Sequence, residues 1–286
     1  MPRKHRAGDA PKSEAAASTL WPLKDLRHYT IGSPDGDIGQ VADAYFDDQS
    51  WTVRYLVVDT GTWLPGRKVL VSPSAVERVD APGARLVTTL SRQQVKDSPG
   101  IDTDKPVSRQ HETTFHEHYG YPLYWTGPYR WGAMPYPMMV GMPPAAPPNA
   151  VDEEMRARAL ENADPNLRSA EEVSGYGIRA RDGDLGHVED FLIDAQSWAI
   201  RYLVVDPASW WPGPHVIIPP AWVTRVDWDD SKVETDVSRQ QVRDAPEYRP
   251  ASEMARDYER ALHHHYGRRG YWEDEPGGWL RRPPAA

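Results

Sequence analysis

Histidine is the side chain best placed for acid–base or metal chemistry near neutral pH. Six of the ten histidines gather in two short stretches, His111, His116 and His118, then His263, His264 and His265. His116/His118 and His263/His265 are spaced i, i+2. On a helix that spacing turns the rings roughly 200° apart, so a shared metal would need ligands from elsewhere. A histidine near a helix C-terminus is also favoured by the helix dipole alone. Asp35-Gly36-Asp37 and Asp182-Gly183-Asp184 could open a calcium loop. The glutamate such a loop needs at its twelfth position is replaced by Phe46 and Ile193, and a hairpin turn with glycine at positive φ explains both runs. Arg54 and Arg201 lie inside the most apolar stretches. A buried guanidinium needs an acid, for which Asp43 or Asp59, and Asp190 or Asp206, are available. There is no cysteine, which excludes disulfides, thiol catalysis and thiolate zinc sites. No Ser/His/Asp order, phosphate-cradling glycine loop or spaced carboxylate pair stands out. The reading is of a non-enzyme, with no catalytic, cofactor-binding or metal residue assigned and no small-molecule substrate.

Trp63 and the pair Trp210-Trp211 precede Pro-Gly in turns. Large aromatics in loops are either lids on the end of a β domain or anchors for a partner. They are the candidate protein-binding residues. The Trp/Tyr/Met-rich run from Tyr121 to Met142 is a second candidate.

These residues recur in two sets because the chain repeats itself. Residues 31–99 and 178–246 match without a gap at 34 of 69 positions. DGDIG answers DGDLG, QSWTVRYLVVD answers QSWAIRYLVVD, and SRQQVKDSP answers SRQQVRDAP. An offset of 147 residues is far too long for a stacked solenoid repeat, so the chain is a duplicated domain. Within one copy, Ile38–Asp47 and Trp51–Asp59 read as a hairpin around Gln49-Ser50. Lys68–Ser72, Ala75–Val79 and Arg85–Leu90 are further short strands, the first two broken by Pro73. Ser91 caps a short helix, and Pro106–Tyr119 and Pro250–Tyr266 read as tail helices stopped at Gly120 and Gly267. The expected fold is mainly β, two small barrels each followed by short helices. The expected divisions are a disordered leader (1–18), a first unit (19–125), a Pro/Met-rich linker with a connecting helix at Val151–Ala163 (126–166), a second unit (167–273) and a disordered tail (274–286).

Thirty-three Lys and Arg face 42 Asp and Glu, a net charge of −9. Residues 31–99 carry nine acids against seven bases, and 178–246 carry twelve against seven. Neither favours nucleic acid as a partner. No run of about 18 apolar residues predicts a membrane span, and the basic N-terminus lacks the apolar stretch of a signal peptide. A cytoplasmic protein is expected, with peripheral membrane contact through the basic leader as the alternative.

The DG-x-x-G turn, the W-x-V/I-R-Y-L-V-V-D strand and the valine-rich strands after it resemble the PRC-barrel family over 20–125 and 167–272. The S-R-x-x-V-x-x-x-P and Y-G-x-x-x-Y-W pieces resemble the tails that follow this barrel in stand-alone bacterial members. The resemblance implies small antiparallel barrels that bind proteins or shape complexes without a reaction of their own. Members include the photosynthetic reaction-centre H subunit and a ribosome maturation factor. The implied role is a scaffold that binds a protein partner or self-associates. The alternatives are a membrane-peripheral accessory of a photosynthetic or electron-transfer complex, and a ribosome or RNA-processing accessory. The sequence departs from both named members: no spanning helix precedes the first unit, and the first unit is a copy of the second.

Overall fold

The computed structural model describes residues 20–101, 107–134, 136–137, 167–207, 210–250 and 254–274. The expected leader, connecting helix, C-terminal tail and most of the linker lie outside them. Among the described residues fourteen strands form two seven-stranded sheets of the same design, so the chain is mainly β with two similar units. In the first unit, β2 (Thr30–Ser33), β3 (Gly36–Asp47), β4 (Thr52–Asp59), β5 (Lys68–Val71), β6 (Val76–Asp80) and β7 (Arg85–Thr88) pair in the order β5-β4-β3-β2-β7-β6. In the second, β9 (Gly177–Ala180), β10 (Gly183–Asp194), β11 (Ile200–Asp206), β12 (Val216–Ile218), β13 (Val223–Asp227) and β14 (Lys232–Thr235) repeat that order.

The expected closed, all-antiparallel barrel is corrected in two respects. β2 runs parallel to β7, and β9 parallel to β14. β5 and β6, at opposite ends of the hydrogen-bonded order, do not pair. They are nevertheless consecutive, joined by one 3-10 turn at Pro73–Ala75. Six flat strands would set the edges about 24 Å apart, whereas the five steps from Val71 to Val76 reach at most about 18 Å. The sheet therefore curls without closing its ladder. Pro73, which has no amide hydrogen, sits where a closing bond would begin.

The glycines of DG-x-x-G have separate tasks. Gly36 and Gly183 turn the β2–β3 and β9–β10 hairpins with φ of 133° and 141°, a region costly for residues with a Cβ. Gly39 and Gly186 lie under the Asp59 and Asp206 carbonyls, where a Cβ would collide with the backbone. Ser91 caps α2 (Arg92–Lys96) and Ser238 caps α5 (Arg239–Arg243), each in a full capping box. The tail helices are α3 (Arg109–Tyr119) and α6 (Arg256–His265). α3 begins three residues after Pro106 because the Ser108 hydroxyl accepts the His111 amide. Gly120 and Gly267 take left-handed φ of 70° and 64° after these helices.

The sheets do not follow the order of the chain. β1 (Leu20–Pro22) pairs with β10 of the second unit, Leu20 opposite Asp194. β8 (Leu167–Ser169) pairs with β3 of the first, Leu167 opposite Asp47. The helical turns that follow, α1 (Leu23–Leu26) and α4 (Ala170–Val173), go with them. The exchange obeys the 147-residue offset at each pairing, which makes it a pseudo-twofold within one chain. Asp43 receives the Glu171 amide at the start of α4, at 3.0 Å, and Asp190 receives the Lys24 amide in α1, also at 3.0 Å. Each unit thus caps the helix lent by the other. The hairpin tips meet on the same axis. Val53 N donates to Trp198 O at 2.9 Å and Ile200 N to Trp51 O at 2.7 Å. Trp51 and Trp198 both hold left-handed φ there, 49° and 57°. One continuous apolar core runs through both units.

Candidate functional site

The chemistry-bearing side chains meet between β4 and the tail helix of each unit. Arg109, Glu112 and His116 are spaced i, i+3, i+7, so they share one helical face. That face lies on the sheet at Tyr55. Glu112 Oε2 pairs with Arg109 Nη1 at 2.8 Å. Glu112 Oε1 receives the Tyr124 hydroxyl at 2.6 Å and the Tyr55 hydroxyl at 3.1 Å. Tyr55 Oη also lies 2.9 Å from His116 Nε2, and His116 Nδ1 lies 2.8 Å from the Pro122 carbonyl. The second unit repeats the set at the same offset. Tyr202 and Tyr271 Oη each lie 3.0 Å from Glu259 Oε1, and Arg256 pairs with Glu259 at 2.8 Å. His263 lies 3.3 Å from Tyr202 Oη and 2.9 Å from the Arg269 carbonyl.

Glu112 and His116 are 1% and 3% exposed, and burial governs their charge. It pushes the Glu112 carboxyl up to about 7, against the pull of Arg109 and the two tyrosines. Burial takes the His116 imidazole down to about 4 and raises the Tyr55 and Tyr124 phenols well above their ordinary range. His263 is lowered by burial too.

Arg54 lies beside this cluster. The ion-pair partner expected for it, Asp43 or Asp59, is corrected. Its guanidinium reaches Asp47 at 3.4 Å, Ser50 Oγ at 2.9 Å and the Arg130 carbonyl at 2.6 Å. It also stacks 3.8 Å from the Tyr124 ring centroid. Tyr45 faces Tyr55 and the next residue, Phe46, faces Val53, so Arg54 is the extra, unpaired residue of a bulge in β4, close to the buried Asp47 at the end of β3. Arg201 likewise pairs with Asp194, at 3.8 Å, rather than with Asp190 or Asp206. Asp43 and Asp190 are engaged on the exchanged helices. Burial raises both carboxyls, Asp190 to about 6.

Several of the remaining sequence candidates have structural partners, whereas His111 Nε2 is buried with no hydrogen-bond partner among the described residues. Asp35 and Asp182 accept the Arg92 and Arg239 amides, at 2.9 and 2.8 Å, which tethers α2 and α5 to the turns. His118 and His265 lie 2.9 and 2.8 Å from the Gln94 and Gln241 carbonyls, pointing away from His116 and His263 as the i, i+2 geometry requires. Among the described residues no three His, Asp or Glu side chains converge to hold a metal. No helix among them is long and apolar enough to cross a membrane.

Trp63 and Trp210 occupy equivalent places. Trp63 Nε1 donates to the Ile38 carbonyl, and Trp210 Nε1 to the Leu185 carbonyl at 2.6 Å. Arg92 lies 4.6 Å over the Trp63 ring; Arg239 and Arg243 lie 5.0 and 5.5 Å over Trp210. Trp211 packs on Trp210 at 5.9 Å. All three indoles are half-buried against the core. The structure sets Trp63 and the Trp210-Trp211 pair on separate units, one loop on each. Trp131, in the aromatic run after Tyr121, is buried instead, its Nε1 donating to the Ser197 carbonyl of the opposite hairpin at 2.9 Å.

No family model matches the chain. A Deinococcus radiodurans protein described as uncharacterized is 35% identical over 97 residues, which cover 29% of this chain and 35% of that protein. The chain thus spans about a third of the length of the relative it matches.

Proposed function

We propose that this chain is a non-catalytic binding protein built from two PRC-type units, offering a protein partner two equivalent faces. The supporting observation is where the polar groups are spent. Glu112, His116, Arg54 and their copies form buried internal networks, so their energy goes into holding the tail helices and hairpin tips. The Trp63 and Trp210 loops keep part of their indole surface in solvent, each flanked by arginine. Tryptophan and arginine together are the composition of binding hot spots. The reciprocal exchange fixes the two loops relative to one another, so a partner meets a preset pair rather than two tethered modules.

The test is affinity capture from the native host with the full chain, against Trp63→Ala/Trp210→Ala. One defined protein should be retained by the parent and reduced at least tenfold by the double variant, with circular dichroism unchanged. A parent that retains no specific protein and runs as a monomer by light scattering would remove the proposal.

A further inference from the structure

The hydrogen bonds of the buried cluster present a counting problem. The Pro122 carbonyl can only accept, so His116 Nδ1 carries a hydrogen. In the neutral ring Nε2 then holds a bare lone pair, 2.9 Å from Tyr55 Oη. Tyr55 has one hydrogen and two acceptors, His116 Nε2 and, at 3.1 Å, Glu112 Oε1. With Glu112 ionised, one of these contacts sets two lone pairs against each other in a water-free site, a costly arrangement. One added proton resolves it. On Glu112, it donates to Tyr55 Oη, Tyr55 donates to His116 Nε2, and His116 donates to Pro122. On His116 instead, the charge would sit beside the Arg54 and Arg109 guanidiniums, which disfavour it along with burial. Burial favours the proton on Glu112 and Asp47 adds to it, against the opposing pull of Arg109 at 2.8 Å and of the Tyr124 and Tyr55 hydroxyls.

We propose that each unit carries a proton-dependent clasp, Glu112–Tyr55–His116 and Glu259–Tyr202–His263, in which a proton held on the glutamate completes a directed hydrogen-bond chain from tail helix to sheet. The chain joins α3, β4 and the loop at Pro122, so its completion governs how firmly the tail helix docks. Loss of the proton to solvent above about pH 7 leaves Tyr55 contested and loosens α3. The same geometry in α6 makes the device twofold.

The signs can be separated by substitution. Glu112, raised to about 7 from 4.5, makes the fold more stable below that window and less stable as pH rises through it. His116, lowered to about 4 from 6.5, acts oppositely, removing stability as pH falls through its window. Between about 4.5 and 6.5 the two cancel, because folding moves one proton from imidazole to carboxyl without changing the number bound. Urea unfolding of the full chain should therefore show opposite slopes relative to the parent in this range. Glu112→Gln should gain stability with rising pH, and His116→Gln should lose it, each by up to about tenfold in the folding constant per pH unit. Nitrogen NMR of the parent provides a readout that does not depend on the variants folding. At pH 5.5, where an ordinary imidazole is about 90% charged, His116 should be neutral with hydrogen on Nδ1. At pH 6.5 a protonated-carboxyl infrared band should weaken in Glu112→Gln, weaken further when Glu259→Gln is added, and in the parent fade as pH crosses about 7. A doubly protonated His116 at pH 5.5 with no such band would overturn the proposal, as would variant slopes parallel to the parent.

Discussion

Leu26→Ala, a change in the first half of the sequence, should weaken the second unit. Leu26 is 2% exposed and lies in α1, the turn that follows β1 onto β10. Truncating a buried leucine costs about 2–5 kcal/mol through lost transfer energy and the cavity left behind. Here the cavity opens where α1 packs on β10, so hydrogen exchange should accelerate more in β10 than in β3. Val173 is the residue 147 positions on, buried in α4 against the first unit. Val173→Ala should produce the mirror pattern, with exchange accelerated more in β3 than in β10. Peptide-resolved exchange by mass spectrometry reads both. Damage confined to the half that carries the substitution would contradict the exchange.

Arg54→Ala should be the most damaging single change in the polar interior, at about 3–5 kcal/mol. The side chain is fully buried, and Asp47 beside it is 2% exposed. Removing the guanidinium takes the cation from Asp47 Oδ2 and leaves the buried carboxylate only the Gln49 and Ser50 amides on Oδ1, and breaking a buried pair in this way costs more than the pair contributes. It also frees the Ser50 hydroxyl and the Arg130 carbonyl and withdraws the cation from Tyr124. Arg54→Lys should recover little, because one ammonium cannot reproduce the planar fork shared among three acceptors. Arg201→Ala should cost less. Its partner Asp194 is 24% exposed and 3.8 Å away, so water can serve the orphaned carboxylate. Urea midpoints for the three variants should rank Arg54→Ala lowest, Arg54→Lys near it and Arg201→Ala highest.

The duplication, the strand set and the short capped helices are legible from residues alone, because each rests on local signals. The 147-residue self-match, the β-branched runs around Arg54 and Arg201, and Ser91 three residues before Gln94 are such signals. The exchange is not. β1 and β8 are three residues long, and β3 and β10 are so alike that a strand could join its own unit or the other without a change in pattern. The partner of Arg54 was missed for a related reason: it depends on a bulge that shifts register between Tyr45 and Phe46. The buried glutamate has a sequence signature. Arg109, Glu112 and His116 recur as Arg256, Glu259 and His263, on one helical face. His116 and His118 share no face, whereas Glu112 and His116, at i, i+4, do. Trp63 and Trp210 stand at equivalent repeat positions, but their anchoring to Ile38 and Leu185 depends on contacts 25 residues distant.

The central claim is that two copies of one β unit are held together by reciprocal loan of a strand and a helical turn. It is tested by inserting a protease site between Pro148 and Asn149, cutting the folded protein, and sizing the product in native buffer. The halves should travel together at the mass of the uncut chain and part only in urea that also abolishes the β-sheet signal. Halves that separate in native buffer, each keeping its own sheet, would show that neither unit needs what the other lends.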